Sequence, residues 1–483
     1  MLYNSLTYLV FFSVVLVAYW TLPGHRARLG LLLAASWLFY AAWYPIYLLL
    51  LIAVTAANYG AALAVNATVE RRPRAARGIV AAIVTADLAN LGFFKYANFF
   101  LESSASVSHA LLGSAWQPPH LDVVLPLGIS FYTFQKIAYV VDVHRGNAPV
   151  IRNPLKMALF GGFFPQLIAG PIVRPNEFIP QLASLRRFDR GLFLHGLDLI
   201  AVGLVKKVLV ADQLAPFVDQ VFATPGRFGA GTLLFAVYAY SAQIYCDFSG
   251  YTDIGRGCAY CLGYHLPRNF ESPYFSVNLT EFWRRWHMTL SQWLRDYLYI
   301  PLGGNRRGRL RTYGNLFVTM TLGGLWHGAS WNFVVWGMLH GAGLALTRFV
   351  HEWLGVPPHR PLVRGRAYRA ASIFVTFQFV AFAWIFFRAA TFDAALAVIG
   401  GIAQAPWFAP HDYETFGRLR LPLIGAALAG LASLHGIATV AAGAGVQRTP
   451  LWRTARPLGY FAVIVACLLF ASRGAQQFIY FQF

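Results

Sequence analysis

TMTLGGLWHGASWNFVVWGMLHG, residues 319–341, contains no Lys, Arg, Asp or Glu, yet it carries two histidines, His327 and His340. A helix needs about 20 apolar residues to cross the hydrocarbon core. Ionisable groups at that depth are costly, and by default they mark functional positions. The stretch reads as parts of two membrane crossings, Leu316–Gly324 and Trp331–Leu346, joined at a glycine-rich bend beside His327.

The rest of the chain shares this character. Over 483 residues, 57% are hydrophobic and only 12% charged, whereas a soluble globular chain carries about 25% charged residues. That excludes an ordinary soluble protein. The net charge of +20 raises the question of nucleic acid, but the basic residues sit in short clusters between apolar segments, as the positive-inside rule requires of cytoplasmic loops. The four cysteines, Cys246, Cys258, Cys261 and Cys467, lie in or beside apolar stretches. Cys258 and Cys261 form a CxxC without the further ligands of a zinc site or the βαβ context of a redox motif, so they read as core cysteines and no metal site is expected.

Clear spans run over Leu6–Leu22, Leu29–Tyr44, Tyr47–Val65 and Ile79–Phe94. The first is preceded by no Lys or Arg, so it lacks the n-region of a signal peptide and reads as a retained helix. The connections alternate between HRAR, Tyr44-Pro45, ERRPRAAR and the weakly charged SSASVSHALLGSAWQPPH, which predicts an extracytoplasmic N-terminus. In the C-terminal half, the basic loops Arg306–Arg311, His359–Arg369 and Gln447–Arg456 enclose even numbers of spans. Leu316–Gly324 and Trp331–Leu346 fill the first interval, and Ala371–Phe387 and Leu421–Thr439 the second. A last span, Tyr460–Ala471, leaves the C-terminus outside as well. From Pro126 to Tyr299 apolar segments are broken by Gly and Pro and carry polar side chains; irregular backbone at membrane depth must be covered by protein or line a wet cavity. The pattern predicts an all-α polytopic membrane protein, one domain over residues 1–483, with about 11 transmembrane helices plus re-entrant or interfacial ones.

Three stretches can carry chemistry. In residues 319–341, burial disfavours a charged imidazole, and a neutral one can accept a proton from a hydroxyl. His327, flanked by Gly323, Gly324 and Gly328 and near Trp326 and Trp331, is the preferred functional position; His340 is read as a hydrogen-bonding partner of a neighbouring helix. The second stretch, Asn269–Gly308, interleaves Trp283, Trp286, Trp293, Tyr297 and Tyr299 with Arg284, Arg285, Arg295 and His287. It reads as an interfacial helix with Trp283 and His287 on one face and aromatics in the headgroup layer. Its arginines suit the phosphates of an acyl donor, so Trp283, Arg284, Arg285 and Trp286 form a candidate donor gate. The third, YCDFSGYTDIGRG at 245–257, holds Asp247 and Asp253 at a spacing that does not support an acid/base dyad; pairing with Arg256 or orienting a histidine is expected. No GxxxxGK[ST], HExxH or GxSxG motif occurs, which disfavours an ATPase, a zincin or a serine esterase.

FWRRWHMTLSQWLRDYLYIPLGGNR followed by LGGLWHGASWNFVVWGMLHG resembles the membrane-bound O-acyltransferase family, in its bacterial branch named for alginate O-acetylation and related to teichoic acid D-alanyl transfer. PLGISFYTFQ, FFPQLIAGPIVR, DFSGYTDI, LPRNFESPYF and the final FIYFQF support the resemblance. It implies a funnel-shaped helical fold, with His327 as the catalytic histidine and His287 as the second family histidine. It also implies acetyl-CoA or an acyl-carrier thioester as donor substrate, no bound cofactor, and delivery on the far side of a bacterial inner membrane, both termini being periplasmic. The acceptor would be a polysaccharide hydroxyl or a periplasmic acetyltransferase. A transporter or flippase for a lipid-linked sugar or acyl carrier is the alternative class, and a polytopic glycosyltransferase a third. Neither the inverted repeats of the former nor a cluster of outer-loop acids is evident in the sequence.

Overall fold

Ser5 accepts a hydrogen bond from the Tyr8 N–H at 3.1 Å and starts the first helix, α1 (Leu6–Thr21). The computed structural model describes residues 1–113, 116–168, 170–357, 365–412, 450–470 and 479. Helices α2 (His25–Ala41), α3 (Ile46–Thr68) and α4 (Pro73–Leu112) follow, then α5 (Ile129–His144), α6 (Pro154–Gly162), α7 (Phe164–Leu167) and α8 (Pro175–Phe178). The middle of the chain forms α9 (Arg190–Leu204), α10 (Asp212–Ala223), α11 (Ala230–Cys261), α12 (Leu279–Arg285) and α13 (Met288–Leu294). Last come α14 (Arg309–His327), α15 (Trp331–Trp353), α16 (Arg366–Arg388), α17 (Phe392–Gln404) and α18 (Pro450–Phe470). No strand occurs among the described residues, so the fold is all-α.

By length and composition, α3, α4, α15 and α16 can each cross a bilayer; α1, α17 and the end of α18 are shorter apolar helices. The expected span Leu421–Thr439 lies outside the described residues, as do residues 359–364 and 447–449 of the expected basic loops. Two expectations are corrected. The fourth span does not stop at Phe94: α4 runs 40 residues to Leu112, about 60 Å at 1.5 Å per residue. No Pro or Gly interrupts it after Gly92, and Gly113, in the left-handed conformation at φ 61°, closes it. Residues 392–404, which fall between the expected spans Ala371–Phe387 and Leu421–Thr439 where no helix was expected, form α17, capped by Thr391 Oγ1, which accepts from the Ala394 N–H.

The broken central region is the interior. Almost every residue of α5 and most of α11 are buried, the condition of a helix covered on all sides. One hydrophobic cluster gathers α1–α7, the second half of α11 and α13. Another gathers α10, the first half of α11, α12 and α14–α17. Helix α11 runs through both.

Close glycine contacts fix its neighbour. A Cβ on Gly196 or Gly203 of α9 would come within 2.7 and 2.6 Å of the Gly257 and Gly250 carbonyls of α11, the small-residue packing that holds membrane helices together. Charge inside this core is paired. Lys207, on the π-helical turn Val205–Ala211, reaches Asp212 at 2.7 Å and Asp247 at 2.6 Å, all three being buried. Asp247 also accepts from the Ile479 N–H at 2.8 Å. Asp253 meets Lys206 at 2.7 Å and Arg256 at 3.5 Å, so both acids of the 245–257 stretch sit in structural ion pairs. Cys258 accepts from the Tyr8 hydroxyl at 3.3 Å, and Cys246 and Cys261 are also buried.

Candidate active site

The site grows from the hairpin of α14 and α15. A Cβ on Gly324 would lie 2.2 Å from the Phe333 carbonyl oxygen, and one on Gly337 would lie 2.4 Å from the Met320 oxygen. The two backbones therefore touch, and His327, the last residue of α14, is carried against α15. Gly328 breaks the helix with extended backbone; Ser330 caps α15 by accepting from the Asn332 N–H at 3.3 Å. The Asn332 side chain donates to the Ala389 carbonyl at 2.8 Å, tying the start of α15 to the end of α16.

His327 is only 3% exposed. Three aromatic rings stand edge-on to its imidazole: Trp326 and Trp336 with centroids at 5.0 Å and Phe387 at 5.2 Å. The end of α14 leaves carbonyls without intrahelical partners, and α4 supplies donors for three of them. Tyr96 Oη donates to the Leu325 oxygen at 2.8 Å, and Lys95 Nζ to those of Trp326 and His327 at 2.7 and 2.8 Å. A cation at a helix C-terminus is also favoured by the helix dipole. A cleft of about 40 Å³, room for a few water molecules, reaches His327 between Lys95, Gly128, Ser130, Phe131 and Trp326.

His287 is fully buried near Trp326, whose ring centroid lies 6.1 Å from the His287 ring. Trp326 thus packs against both of the histidines that the sequence singles out. The segment expected as one interfacial helix is broken at this residue. Helix α12 ends at Arg285, and His287 takes the left-handed conformation at φ 42° before α13 begins. Trp283 and His287 therefore do not share a helix face.

Asn269 holds the break in place. Its carbonyl oxygen accepts from the Met288 N–H at 2.9 Å, and its side-chain Oδ1 from the Thr289 N–H and hydroxyl at 3.2 and 2.9 Å. The same Oδ1 lies 3.2 Å from His287 Nδ1. An oxygen can only accept there, so Nδ1 carries the proton and Nε2 keeps its lone pair. Among the described residues Nε2 has no hydrogen-bond partner.

The aromatics of this segment face inward rather than toward headgroups. Trp293 stacks on Phe134 with centroids 3.6 Å apart, and Trp286 packs 5.1 Å from Trp384. Trp283 Nε1 donates to His340 Nδ1 at 3.2 Å. Of the four candidate gate residues, Trp283 and Trp286 are buried, Arg285 is paired with Glu281 at 2.6 Å, and Arg284 alone is exposed. Sequence reasoning missed Lys95 and Asn269. The signal for Lys95 was a lysine inside the apolar run NLGFFKYANFF, just past the expected end of a span; Asn269 carried none beyond its place in LPRNFESPYF.

A buried histidine beside a second histidine of fixed tautomer, on broken helices inside an apolar helical protein, suits proton transfer shielded from bulk water. Residues 149–386 match the family model of MBOAT, the membrane-bound O-acyltransferase family. The chain belongs to that family, and it is therefore a multi-pass membrane O-acyltransferase. It is 41% identical over 404 residues to the probable alginate O-acetylase AlgI of Pseudomonas putida, covering 83% of this chain and 80% of the relative. It is 38% identical to the peptidoglycan O-acetyltransferase of Helicobacter pylori over 77% of this chain and 73% of that one. The teichoic acid D-alanyltransferase of Bacillus subtilis is 29% identical over 57% of this chain and 71% of its own.

Proposed function

We propose that this protein moves an acetyl group from a cytoplasmic thioester, acetyl-CoA or an acyl-carrier protein, toward hydroxyls of an extracytoplasmic polysaccharide such as alginate or another exopolysaccharide. His327 is the general base. The observation that carries this reading is the position of His327, enclosed by aromatic rings at the end of α14 yet reached by a cleft. An acceptor hydroxyl in that cleft loses its proton to the imidazole as its oxygen attacks the thioester carbonyl. Holding donor and acceptor together there supplies much of the rate through proximity. His287, with its free Nε2 lone pair, assists at the donor thioester or holds the site. In this reading exposed Arg284 meets the donor's phosphates, and Arg285, Trp283 and Trp286 shape the wall behind it.

The relatives named above act on alginate and peptidoglycan, which supports a polysaccharide acceptor, reached directly or through a periplasmic acetyltransferase. The alternation of basic loops supports an inner-membrane protein with both termini periplasmic and about 11 crossing helices; their arrangement as a funnel is what the family resemblance implies. The test is acetyl transfer from labelled acetyl-CoA or a labelled acyl-carrier protein in membranes holding the wild-type chain or His327→Ala, with folding checked. Loss of transfer in the variant is expected. Equal transfer in both overturns the assignment of His327.

A further inference from the structure

The geometry points to Lys95 as a further catalytic residue, whose ammonium donates a hydrogen bond to the oxygen of the acyl carbonyl as negative charge develops on it. This rests on the acyl-transfer reading proposed above. An ammonium carries three N–H donors, and two of those on Lys95 are spent on the Trp326 and His327 carbonyls. Its side chain lines the same cleft as His327, so the third donor is offered where the reacting groups meet. Among the described residues no carboxylate pairs with it; its other neighbour is the Trp326 ring, 6.0 Å from Nζ. An unpaired cation inside a membrane protein is costly and points to a role in function.

Electrostatics demands such a group. His327 ends α14, and a helix C-terminus carries partial negative charge. That end favours an imidazolium but opposes an oxyanion beside it. On α15 the Asn332 amide is committed to the Ala389 carbonyl, and Trp336, 5.0 Å from His327, has only a neutral indole N–H to offer. Lys95 offsets the helix end and leaves a positive donor over, in a water-poor site where such interactions are strongest.

The step balances without any further reactant. His327 takes the acceptor's hydroxyl proton while the oxygen bonds to the thioester carbon. The carbonyl π pair moves onto oxygen and is held by the third Lys95 N–H. Collapse re-forms the carbonyl, breaks the C–S bond, and the departing thiolate takes the proton from His327. Ester and thiol leave, and both side chains return to their starting states.

The experiment measures kcat and donor KM with labelled thioester donor in membranes, alongside the melting temperature, for Lys95→Met, Tyr96→Phe and His327→Ala. Tyr96 caps the same helix end, through Leu325, but does not line the cleft, so it reports on capping alone. Lys95→Met is expected to lower kcat by about 100-fold or more with donor KM nearly unchanged, while Tyr96→Phe keeps kcat within about threefold of wild type. A kcat loss under about tenfold in Lys95→Met overturns the proposal, as does an equal loss in Tyr96→Phe, because the role is then that of a cap. If Lys95→Met does not accumulate folded, Lys95→Gln takes its place with the same criteria, since it keeps an N–H for the carbonyls and removes the charge. Transfer persisting in His327→Ala, or absent in the wild type with either donor, overturns the underlying acyl-transfer reading instead.

Discussion

Replacing Gly324 by alanine adds a single methyl group where α14 and α15 touch. That carbon would sit 2.2 Å from the Phe333 carbonyl oxygen and 2.9 Å from both N and Cα of Gly337. All of these are backbone atoms, so no side-chain rotation relieves the overlap. Ordinary contact begins near 3.4 Å, so the two helices must part by about 1 Å. His327 lies one turn further along the same helix face, and Trp336, which walls it, lies on α15 next to Gly337. Overpacking of this size costs about 1–3 kcal/mol of stability, and a displacement of about 1 Å at a reacting group can cost about 100-fold in rate. Two neighbours serve as controls. A Cβ on Gly323 would meet only the end of the Leu294 side chain, at 3.0 Å, and one on Gly314 meets nothing within 4 Å. Thermal denaturation in detergent and acetyl transfer in membranes are the assays. Gly324→Ala is expected to lose both stability and transfer, Gly323→Ala to lose little, and Gly314→Ala to be neutral or slightly stabilised, because alanine is the better helix former. Wild-type melting and transfer in Gly324→Ala would refute the claim that this glycine contact positions His327.

Other positions give sharper signs. His287→Gly should melt higher than His287→Ala, by about 1 kcal/mol, because only glycine adopts the left-handed conformation at φ 42° without a steric penalty; an alanine variant as stable as the glycine one would show that the backbone relaxes there. Asn269→Leu removes the acceptor of His287 and Thr289, and should lose about 1–3 kcal/mol together with transfer. Asn269→Asp keeps an acceptor and should retain more of both, so identical losses in the two variants would argue against the hydrogen-bonding role. Lys207→Met leaves Asp212 and Asp247 buried without their cation, a loss of about 3–5 kcal/mol read as a lower melting temperature. Adding Asp212→Asn and Asp247→Asn should recover much of it; a melting temperature unchanged in the single variant would sink the reading of this triad as structural.

What the sequence revealed followed from the forces that are local in it. Apolar runs announce helices in a membrane protein because every backbone group must be satisfied within the segment: α1 and α3 begin and end close to their apolar runs, whereas α15 runs on from Leu346 to Trp353 and α16 begins at Arg366, ahead of Ala371. The extent of α4 was hidden because polarity, not helix propensity, marked the expected stop: ESSASVSHALL is polar enough to leave an apolar core yet contains no breaker before Gly113. The reading of Asn269–Gly308 as one interfacial helix failed for a different reason. Tryptophan beside arginine looks alike in a headgroup layer and in an aromatic core, and the deciding contacts, Phe134 with Trp293 and Trp384 with Trp286, come from residues 159 and 98 positions away.

The same distinction divides the site. His327 was legible because a histidine in an apolar, glycine-flanked run has few structural reasons to be there. Lys95 was not, because its role exists only once α4 meets the end of α14, 231 and 232 positions later in the chain. A helix that stops within a membrane protein leaves carbonyls that must find donors, and that requirement can be stated from the sequence before any partner is known. The search it prescribes is for a lysine, arginine or tyrosine in another apolar run. The FFKYANFF stretch of α4, with Lys95 and Tyr96 side by side, satisfies it: adjacent side chains supply donors to three successive carbonyls. Such a requirement is more selective than polarity alone, because it asks for donors at the spacing of one helix end. Two of the three Lys95 N–H donors close the helix in this way, and the acyl-carbonyl role proposed above falls to the third.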